Sequence, residues 1–194
     1  MAKTTSLASI KSLVKRLAKK HKTRVAFNAA VAKHGKHIGT GAFRTVYKIG
    51  SYVIKVRNDP NDCCMEAYEI RPSNHVEFRN YEKLKAKYPN VAAFVVQPHY
   101  VKVGSHDAII MKCVTVCNHD TCEYPGKLIR GRPMRKQLKF VERTFNDAHE
   151  NNIGWDAKKK RVYLVDMNYG HGYVNHYTCK EDDVEAAQLL AEVS

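Results

Sequence analysis

The chain has 194 residues, of which 44% are apolar, so it is long enough for one domain with a hydrophobic core and short for two. No apolar run approaches the ~20 residues of a membrane-spanning helix, and the basic start is not followed by the uninterrupted apolar segment of a secretory signal. The formal net charge of +14 indicates an anionic partner, and six cysteines, too few for a disulfide scaffold, indicate a cytoplasmic protein with free thiols.

The positive charge is concentrated at the start of the chain. Residues 1–58 hold fourteen lysines and arginines and no acidic residue; the first acidic residue is Asp59. The other nineteen of the 33 basic residues balance all 19 acidic ones, so the excess lies in these first 58 positions. We therefore expect residues 1–58 to bind nucleic acid nonspecifically or to bind an acidic protein.

The first predicted element is a basic amphipathic helix. Thr4, Thr5 and Ser6 are candidate N-caps, and apolar residues follow at helical spacing: Leu7, Ile10, Val14 and Leu17. One interpretation packs this stripe on the body of the domain and leaves the lysines in solvent; the other makes the helix a docking element for nucleic acid or an acidic partner. A second helix is predicted over 24–32, and both helices belong to a basic N-terminal extension, residues 1–35.

Two glycines precede a predicted β-hairpin. Gly39-Thr40-Gly41-Ala42-Phe43 lies between strand-like segments, and residues 46–49 and 52–56 form strands joined by Gly50-Ser51. Glycines let a backbone turn approach phosphate oxygens closely, although a plain hairpin is the commoner explanation. Lys55 lies between apolar neighbours in the second strand, so its ammonium needs a phosphate or a carboxylate as partner.

The elements that follow alternate in type. A helix over 74–88 carries Glu77, the preferred carboxylate for Lys55, and its competitor Glu82. Two strand-like runs fall within 91–114, on either side of Gly104-Ser105. The last predicted elements are a helix at about 133–146, a strand over 162–165 and a helix over 181–193.

Three polar side chains flank a Lys/Arg-rich turn near the end of the chain. Asn152 follows Asp147 by five positions, and Asp166 closes an apolar run. The chain thus presents, in order, a glycine turn, a strand lysine, a helix glutamate, an Asp/Asn pair and a second aspartate. In this order it resembles protein kinases, and D-A-H-E-N-N from Asp147 resembles the D-x-H-x-x-N loop of aminoglycoside and choline phosphotransferases and of bacteriophage serine/threonine kinases.

This resemblance implies an α+β, protein-kinase-like fold. The N-lobe, about 36–114, would be an antiparallel sheet with one main helix, and the C-lobe, about 115–194, would be truncated and mostly helical. The two lobes form a minimal kinase-like domain over 36–194. The small size and the basic start also suit a phage-encoded protein that acts in the host cytosol.

The resemblance also implies a role for each matching residue. Lys55, positioned by Glu77, would bind the phosphates of ATP, and Asp147 would accept the proton of the acceptor hydroxyl. Asn152 and Asp166 would ligate Mg²⁺, which prefers oxygen ligands. The other ATP contacts would come from the glycine turn and from the hinge after the sheet: Gly39, Thr40, Gly41, Ala42, Phe43, Met111 and Cys113.

Three departures from the kinase pattern leave more than one function open. Arg44 replaces the third loop glycine, Asp166-Met167-Asn168 lacks the glycine of the DFG motif, and only 28 residues (194 minus 166) follow Asp166. The leading hypothesis is a minimal serine/threonine protein kinase that acts on host proteins. The alternative is a pseudokinase that binds and modulates a host protein or a nucleic-acid complex, and a small-molecule kinase is a third candidate.

A cysteine-rich segment offers one competing site. Cys113, Cys117, His119 and Cys122 lie within ten residues, but their intervals match no compact zinc motif. We therefore expect no zinc site there.

Overall fold

The computed structural model describes residues 5–41, 43–58, 74–116, 132–145, 148 and 152–166, and every structural statement concerns these residues. The helices are α1 Leu7–Lys20, α2 Arg24–Ala32, α3 Asn74–Lys87, α4 Pro89–Ala92 and α5 Arg132–Thr144. The strands are β1 Lys36–Thr40, β2 Arg44–Ile49, β3 Tyr52–Arg57, β4 His99–Val103, β5 His106–Lys112, β6 Thr115–Val116, β7 Ile153–Asp156 and β8 Arg161–Leu164. The architecture is α+β, which confirms that part of the predicted fold class.

Helix α1 begins where the sequence predicts it. Its N-cap is Ser6, whose side chain accepts a hydrogen bond from the backbone N–H of Ser9, while the Ser6 N–H donates to the Ser9 hydroxyl. This capping box satisfies backbone donors that have no partner within the helix. Ile10, Val14 and Leu17 are buried along one side of the helix, so the predicted apolar stripe is confirmed.

Strands β1 to β5 form an antiparallel sheet in the order β1-β2-β3-β5-β4. Gly50 and Gly104 occupy the β2–β3 and β4–β5 hairpin turns with φ of 60° and 58°, in the left-handed region that glycine tolerates best. The turn at Gly50 sets the β2–β3 register, which pairs Val46 with Lys55. Because β3 is hydrogen-bonded to β2 on one side and to β5 on the other, Lys55 has a well-supported backbone.

Helices α1 and α2 cover one face of this sheet. Side chains alternate between the faces of β3, and Ile54 and Val56 enter an apolar core that both helices share. The members of that core are Ile10, Val14, Leu17, Ala18, Phe27, Ala30, Val31, Ile54, Val56, Val101, Ala108 and Ile110. The helices predicted as an extension therefore contribute to the core of this compact unit, which comprises the described residues of Met1–Phe78 and Gln97–Cys113.

A second compact unit comprises the described residues of Arg79–Val96 and Val114–Ser194. It contains a three-stranded antiparallel sheet in the order β6-β7-β8 and helix α5. Leu138 and Val141 of α5 share an apolar core with Val162 and Leu164 of β8. Gln137 joins the same elements through its side chain, since its amide donates to a carbonyl next to β8 and its oxygen accepts the Val162 N–H at 3.0 Å.

Residues 91–98 are the part of the chain where the predicted element is wrong. The sequence predicts a strand from residue 91, but Pro89 opens the short helix α4 and β4 begins only at His99. Phe94 and Val95 between them are buried in the second unit. A short buried apolar run has the same sequence pattern in a helix, a strand or a packed loop, so periodicity alone did not separate these cases.

Several predictions fall on residues outside the described ranges. They are the helix over 181–193 and the residues Ala42, Asp147, Met167 and Asn168. Among the described residues, no helix combines the length and the apolar character that crossing a bilayer would need.

Candidate functional site

A buried ion pair lies on the face of the sheet opposite α1 and α2. The ammonium Nζ of Lys55, in β3, donates to Oε1 of Glu77, in the first turn of α3, at 3.0 Å. Lys55 is 6% exposed and Glu77 is 1% exposed. The competing glutamate, Glu82, is exposed on the same helix, so the chain pairs Lys55 with Glu77. A buried ammonium and carboxylate of this kind are costly to desolvate and persist only with close partners.

Arg44 is a second cation on the same carboxylate. Its Nη1 contacts Oε2 of Glu77, and its side chain is as buried as that of Lys55. Glu77 therefore receives Lys55 on one oxygen and Arg44 on the other. This arrangement holds the first turn of α3 against β2 and β3, and it concentrates positive charge beside the glycine turn that precedes Arg44.

Asn74 also fixes α3 to the sheet. It is fully buried, and its side-chain amide donates to the backbone oxygens of Lys55, at 3.4 Å, and of Asp107, at 3.3 Å. Further along the helix, the ring of Phe78 stacks on that of Tyr100 in β4, with centroids 5.8 Å apart. Together with the two contacts of Glu77, these interactions tie α3 to four strands of the sheet, β2 to β5.

The glycine turn joins β1 to β2 and is held by Asn58, the residue after β3. The Gly41 N–H donates to the Arg44 carbonyl at 2.8 Å, and the Asn58 side-chain amide donates to the Gly41 carbonyl at 2.8 Å. The Asn58 backbone N–H in turn donates to the Phe43 carbonyl at 2.9 Å. The turn is therefore anchored to the end of the strand that carries Lys55.

The described part of the fold does not require glycine at position 39 or 41. Gly39 lies in β1, where it pairs with Val46, and Gly41 follows that strand. Among the described residues, a Cβ built on Gly39 meets no atom within 4 Å, and one built on Gly41 meets only the Arg44 carbonyl oxygen at 3.9 Å. Neither residue is among the described glycines with positive φ, which are Gly50 and Gly104. The space above both residues is open, as it must be if a bound anion is to approach this backbone.

The predicted hinge lies at the end of β5. Met111 is buried, whereas Cys113 follows the strand and its backbone N–H donates to the Ser51 carbonyl at 2.8 Å. That N–H is engaged in the sheet, so an adenine ring at the hinge would need a different donor. The contacts of Met111 and Cys113 with ATP stay predictions.

Asn152 and Asp166 lie at the open end of the β7–β8 hairpin. Ile153 pairs with Leu164, and the Val165 N–H donates to the Asn152 carbonyl at 2.8 Å, so the two chain segments are still paired where the strands end. Asn152 thus precedes β7 at the same end at which Asp166 follows β8. An amide oxygen and a carboxylate supplied from one hairpin end suit Mg²⁺, which takes oxygen ligands and keeps several waters.

The other predicted site residues do not add to this geometry. Asp147 and Ala42 lie outside the described residues, as do Cys117, His119 and Cys122 of the competing zinc segment. In the described ranges no three His, Cys, Asp or Glu side chains form a candidate metal site. The structure therefore brings together Lys55 and Glu77 in one unit, and Asn152 with Asp166 at a hairpin end in the other.

Arg44 and Asn58 are site residues that the sequence alone does not identify. In the sequence, Arg44 stands out only as a departure from a glycine pattern. The hairpin itself contained the missing signal: a two-residue turn at Gly50-Ser51 pairs Val46 with Lys55, which puts Arg44 on the same sheet face as Lys55. No comparable local signal exists for Asn58, because its side chain binds the Gly41 carbonyl, 17 positions earlier in the chain.

No protein-family model and no curated protein matches this chain. Among solved structures, the chain is similar to the crystal structure of Rad53 1-466 in complex with AMP-PNP, with 14% sequence identity and a TM-score of 0.38. The likeness covers 75% of this chain and 43% of that one, so this chain spans less than half of its length. A likeness of this extent assigns no family.

Proposed function

We propose that this chain is a minimal ATP- and Mg²⁺-dependent phosphotransferase, a serine/threonine protein kinase acting on host proteins. The observation that carries the proposal is the buried contact between Lys55 and Glu77, at 3.0 Å. A lysine in the middle of a sheet, oriented by a helix carboxylate, is a preorganised positive charge for the phosphates of a nucleotide. Phosphoryl transfer asks the protein mainly for positioning and charge neutralisation, and this pair supplies both.

Other residues fit the same reaction. The anchored glycine turn, with open space above Gly39 and Gly41, suits the approach of a triphosphate. Asn152 and Asp166 would hold Mg²⁺, which neutralises phosphate charge when bound. Asp147 would accept the proton of the acceptor hydroxyl as the oxygen attacks the γ-phosphorus and ADP leaves.

The second candidate, a pseudokinase that binds a host protein or a nucleic-acid complex, is favoured by Arg44. Its contact with Glu77 ties β2 to α3 without any nucleotide, so the ion pairs on Glu77 have a purely structural use as well. In that case the chain would keep its fold and its partner when Lys55 is replaced, because Arg44 still holds Glu77.

A phosphorylation assay tests the leading candidate. Purified protein is incubated with γ-labelled ATP, Mg²⁺ and a cell extract, alongside Lys55→Met and the control Lys48→Met, which removes an exposed lysine of β2. We expect labelled protein with the wild type and Lys48→Met, and a loss of about 100-fold or more with Lys55→Met. Label that is equal in both variants would contradict the proposal, and no label from any of them would favour the pseudokinase.

A further inference from the structure

Helix α5 carries a stripe of positive charge that the proposed kinase site does not use. Its exposed basic residues are Arg132, Arg135, Lys136, Lys139 and Arg143, and we call them the α5 basic stripe. Steps of three and four residues bring side chains to the same side of a helix, so all five project from one face. The opposite face holds Met134, Leu138 and Val141 in the core of the second unit.

The stripe borders a cavity whose described lining is entirely basic. The cavity has a volume of about 630 Å³, and its described lining residues are Arg132, Arg135, Lys136 and Lys139. Four cations this close together repel one another, and a bound anion would reduce that repulsion. From Arg132 to Arg143 the stripe is roughly 16 Å long, at a rise of about 1.5 Å per residue.

We propose that the α5 basic stripe binds the phosphodiester backbone of nucleic acid without reading base sequence. Its length matches roughly five successive phosphates of one strand, at about 3.4 Å of helix axis per phosphate. Lysine and arginine side chains are the groups that make such contacts, and these contacts position a protein on a duplex but carry no sequence information. This inference does not depend on the proposed kinase activity.

The composition of the stripe favours nucleic acid over other anionic partners. The centre of a protein interface is depleted in charged side chains, whereas the described residues beside this cavity are all charged. A membrane surface would be held by an amphipathic helix that inserts its apolar face, but the apolar face of α5 is already buried in the core. The phosphates of nucleic acid, in contrast, can be bound by lysine and arginine side chains without apolar contacts.

The site differs from the one expected at the start of the chain. The basic residues of 1–58 include exposed positions on α1, such as Lys15, Arg16 and Lys19, which belong to the first unit. The α5 basic stripe belongs to the second unit. Variants that remove three charges from one helix at a time can therefore separate the two surfaces.

The test measures binding of a fluorescently labelled random-sequence duplex DNA by anisotropy, from about 50 to about 200 mM salt. The stripe variant is Arg135→Gln, Lys136→Gln and Lys139→Gln. Its matched control removes one arginine and two lysines from exposed positions of α3: Arg79→Gln, Lys83→Gln and Lys85→Gln. A third variant removes the α1 charges: Lys15→Gln, Arg16→Gln and Lys19→Gln.

The expected result is a change in salt dependence. Each phosphate contact contributes about 0.9 to the slope of log K against log salt, so the stripe variant should lose about 2.7 from that slope. Both proteins should lose affinity when the salt concentration is raised fourfold. The fold-loss of the stripe variant should be about 40 times smaller than that of the wild type. The α3 control should keep the wild-type slope, and circular dichroism should show the same helix content in all variants.

Three results would overturn the proposal. One is a stripe variant with the wild-type slope and affinity, and another is a loss of binding that occurs only in the α1 variant. The third is polyglutamate competing more strongly than duplex DNA for the same side chains, which would identify the partner as an acidic protein. A stripe variant that loses helix content is replaced by the single substitution Lys139→Gln, for which the expected loss of slope is about 0.9.

Discussion

Glu77 is the residue on which the site depends most, because its two carboxylate oxygens receive Lys55 and Arg44 in a buried setting. Replacing it by the isosteric glutamine keeps the shape and removes the charge that both cations contact. We expect Glu77→Gln to lower the free energy of unfolding by about 3 kcal/mol, since removing one partner of a buried ion pair leaves uncompensated charge. Urea unfolding followed by circular dichroism measures this change.

The same helix supplies the control for that prediction. Glu82 is exposed, so Glu82→Gln should change the free energy of unfolding by no more than about 0.5 kcal/mol. Equal effects of the two substitutions would mean that the contacts of Glu77 do not stabilise the fold, and the account of a preorganised lysine would lose its basis.

A substitution at Gly41 should weaken nucleotide binding without lowering the stability of the fold. An added Cβ meets only one atom, at 3.9 Å, so Gly41→Ala should leave the melting temperature unchanged or slightly higher. The methyl group nevertheless occupies space that phosphate oxygens need, and we expect the affinity for Mg²⁺-ATP to fall by about tenfold, equivalent to about 1.4 kcal/mol. Fluorescence titration with a labelled ATP analogue measures the affinity, and an unchanged value would remove the glycine turn from the proposed site.

Tyr100 makes the stability of the first unit depend on pH in the alkaline range. Burial, followed by the negative charge of Asp107 and the hydrogen bond that the Tyr100 hydroxyl donates to it at 3.3 Å, raises the pKa of Tyr100 from 10.0 to about 12. Because the folded pKa lies above the unfolded one, the contribution to stability is complete below about pH 10 and is lost as pH rises through about 12. Urea unfolding over this pH range should show a shallower decline for Tyr100→Phe than for the wild type. Identical declines would show that Tyr100 titrates alike in both states.

At the scale of elements, α1 is part of the core and not an appendage. Val14 of α1 is buried in the core that the helix shares with the sheet and is only 1% exposed, whereas Val25 on α2 is 58% exposed. Val14→Ala should therefore cost about 2 kcal/mol of unfolding free energy through lost apolar burial and the cavity left behind. Val25→Ala is the matched control, because it makes the same change in helix propensity at an exposed site, and its effect should stay within about 0.5 kcal/mol. Urea unfolding measures both changes. Equal unfolding free energies for the two variants would contradict the packing of α1 on the sheet.

The elements that the sequence predicts well are those with a complete local signal. The capped amphipathic helix α1 and the β2–β3 hairpin at Gly50-Ser51 both have their determinants within a few residues of one another. Strand β7, of four residues, was not predicted although it forms a hairpin with its neighbour β8. Strand β6, of two residues, was not predicted because it pairs with β7, a distant segment of the chain. The same non-local burial explains the error at 91–98, where an apolar run is buried without forming a strand.

At the scale of the whole molecule, the sequence predicts one contact of the candidate site but not the residues that hold this contact in place. The pairing of Lys55 with Glu77 follows from the need of a buried ammonium for a carboxylate, and the structure contains that contact. The role of Arg44 depends on sheet register, and the anchoring of the turn by Asn58 depends on tertiary contacts. Neither can be read from composition or spacing alone.

One boundary between the two compact units, inside helix α3, has no counterpart in the sequence. Helix α3 starts in the first unit, where Glu77 lies, and continues into the second, where Tyr81 and Leu84 join the core. No Pro/Gly-rich linker marks this boundary, because it falls inside a continuous helix. Units that share a helix are defined by which side chains are buried together, and that information appears only once the chain is folded.

Calorimetric titration of Mg²⁺-ATP into the full chain measures whether Lys55 and Glu77 form a nucleotide site. We expect saturable binding that is lost when Mg²⁺ is chelated, weakened about 100-fold or more by Lys55→Met, and unchanged by Lys48→Met. Asp166→Asn should reduce the dependence on Mg²⁺, because it removes the carboxylate assigned to the metal. Binding that is equal in wild type and Lys55→Met, or no binding by a wild-type chain with intact circular dichroism, would contradict a nucleotide site built on Lys55 and Glu77.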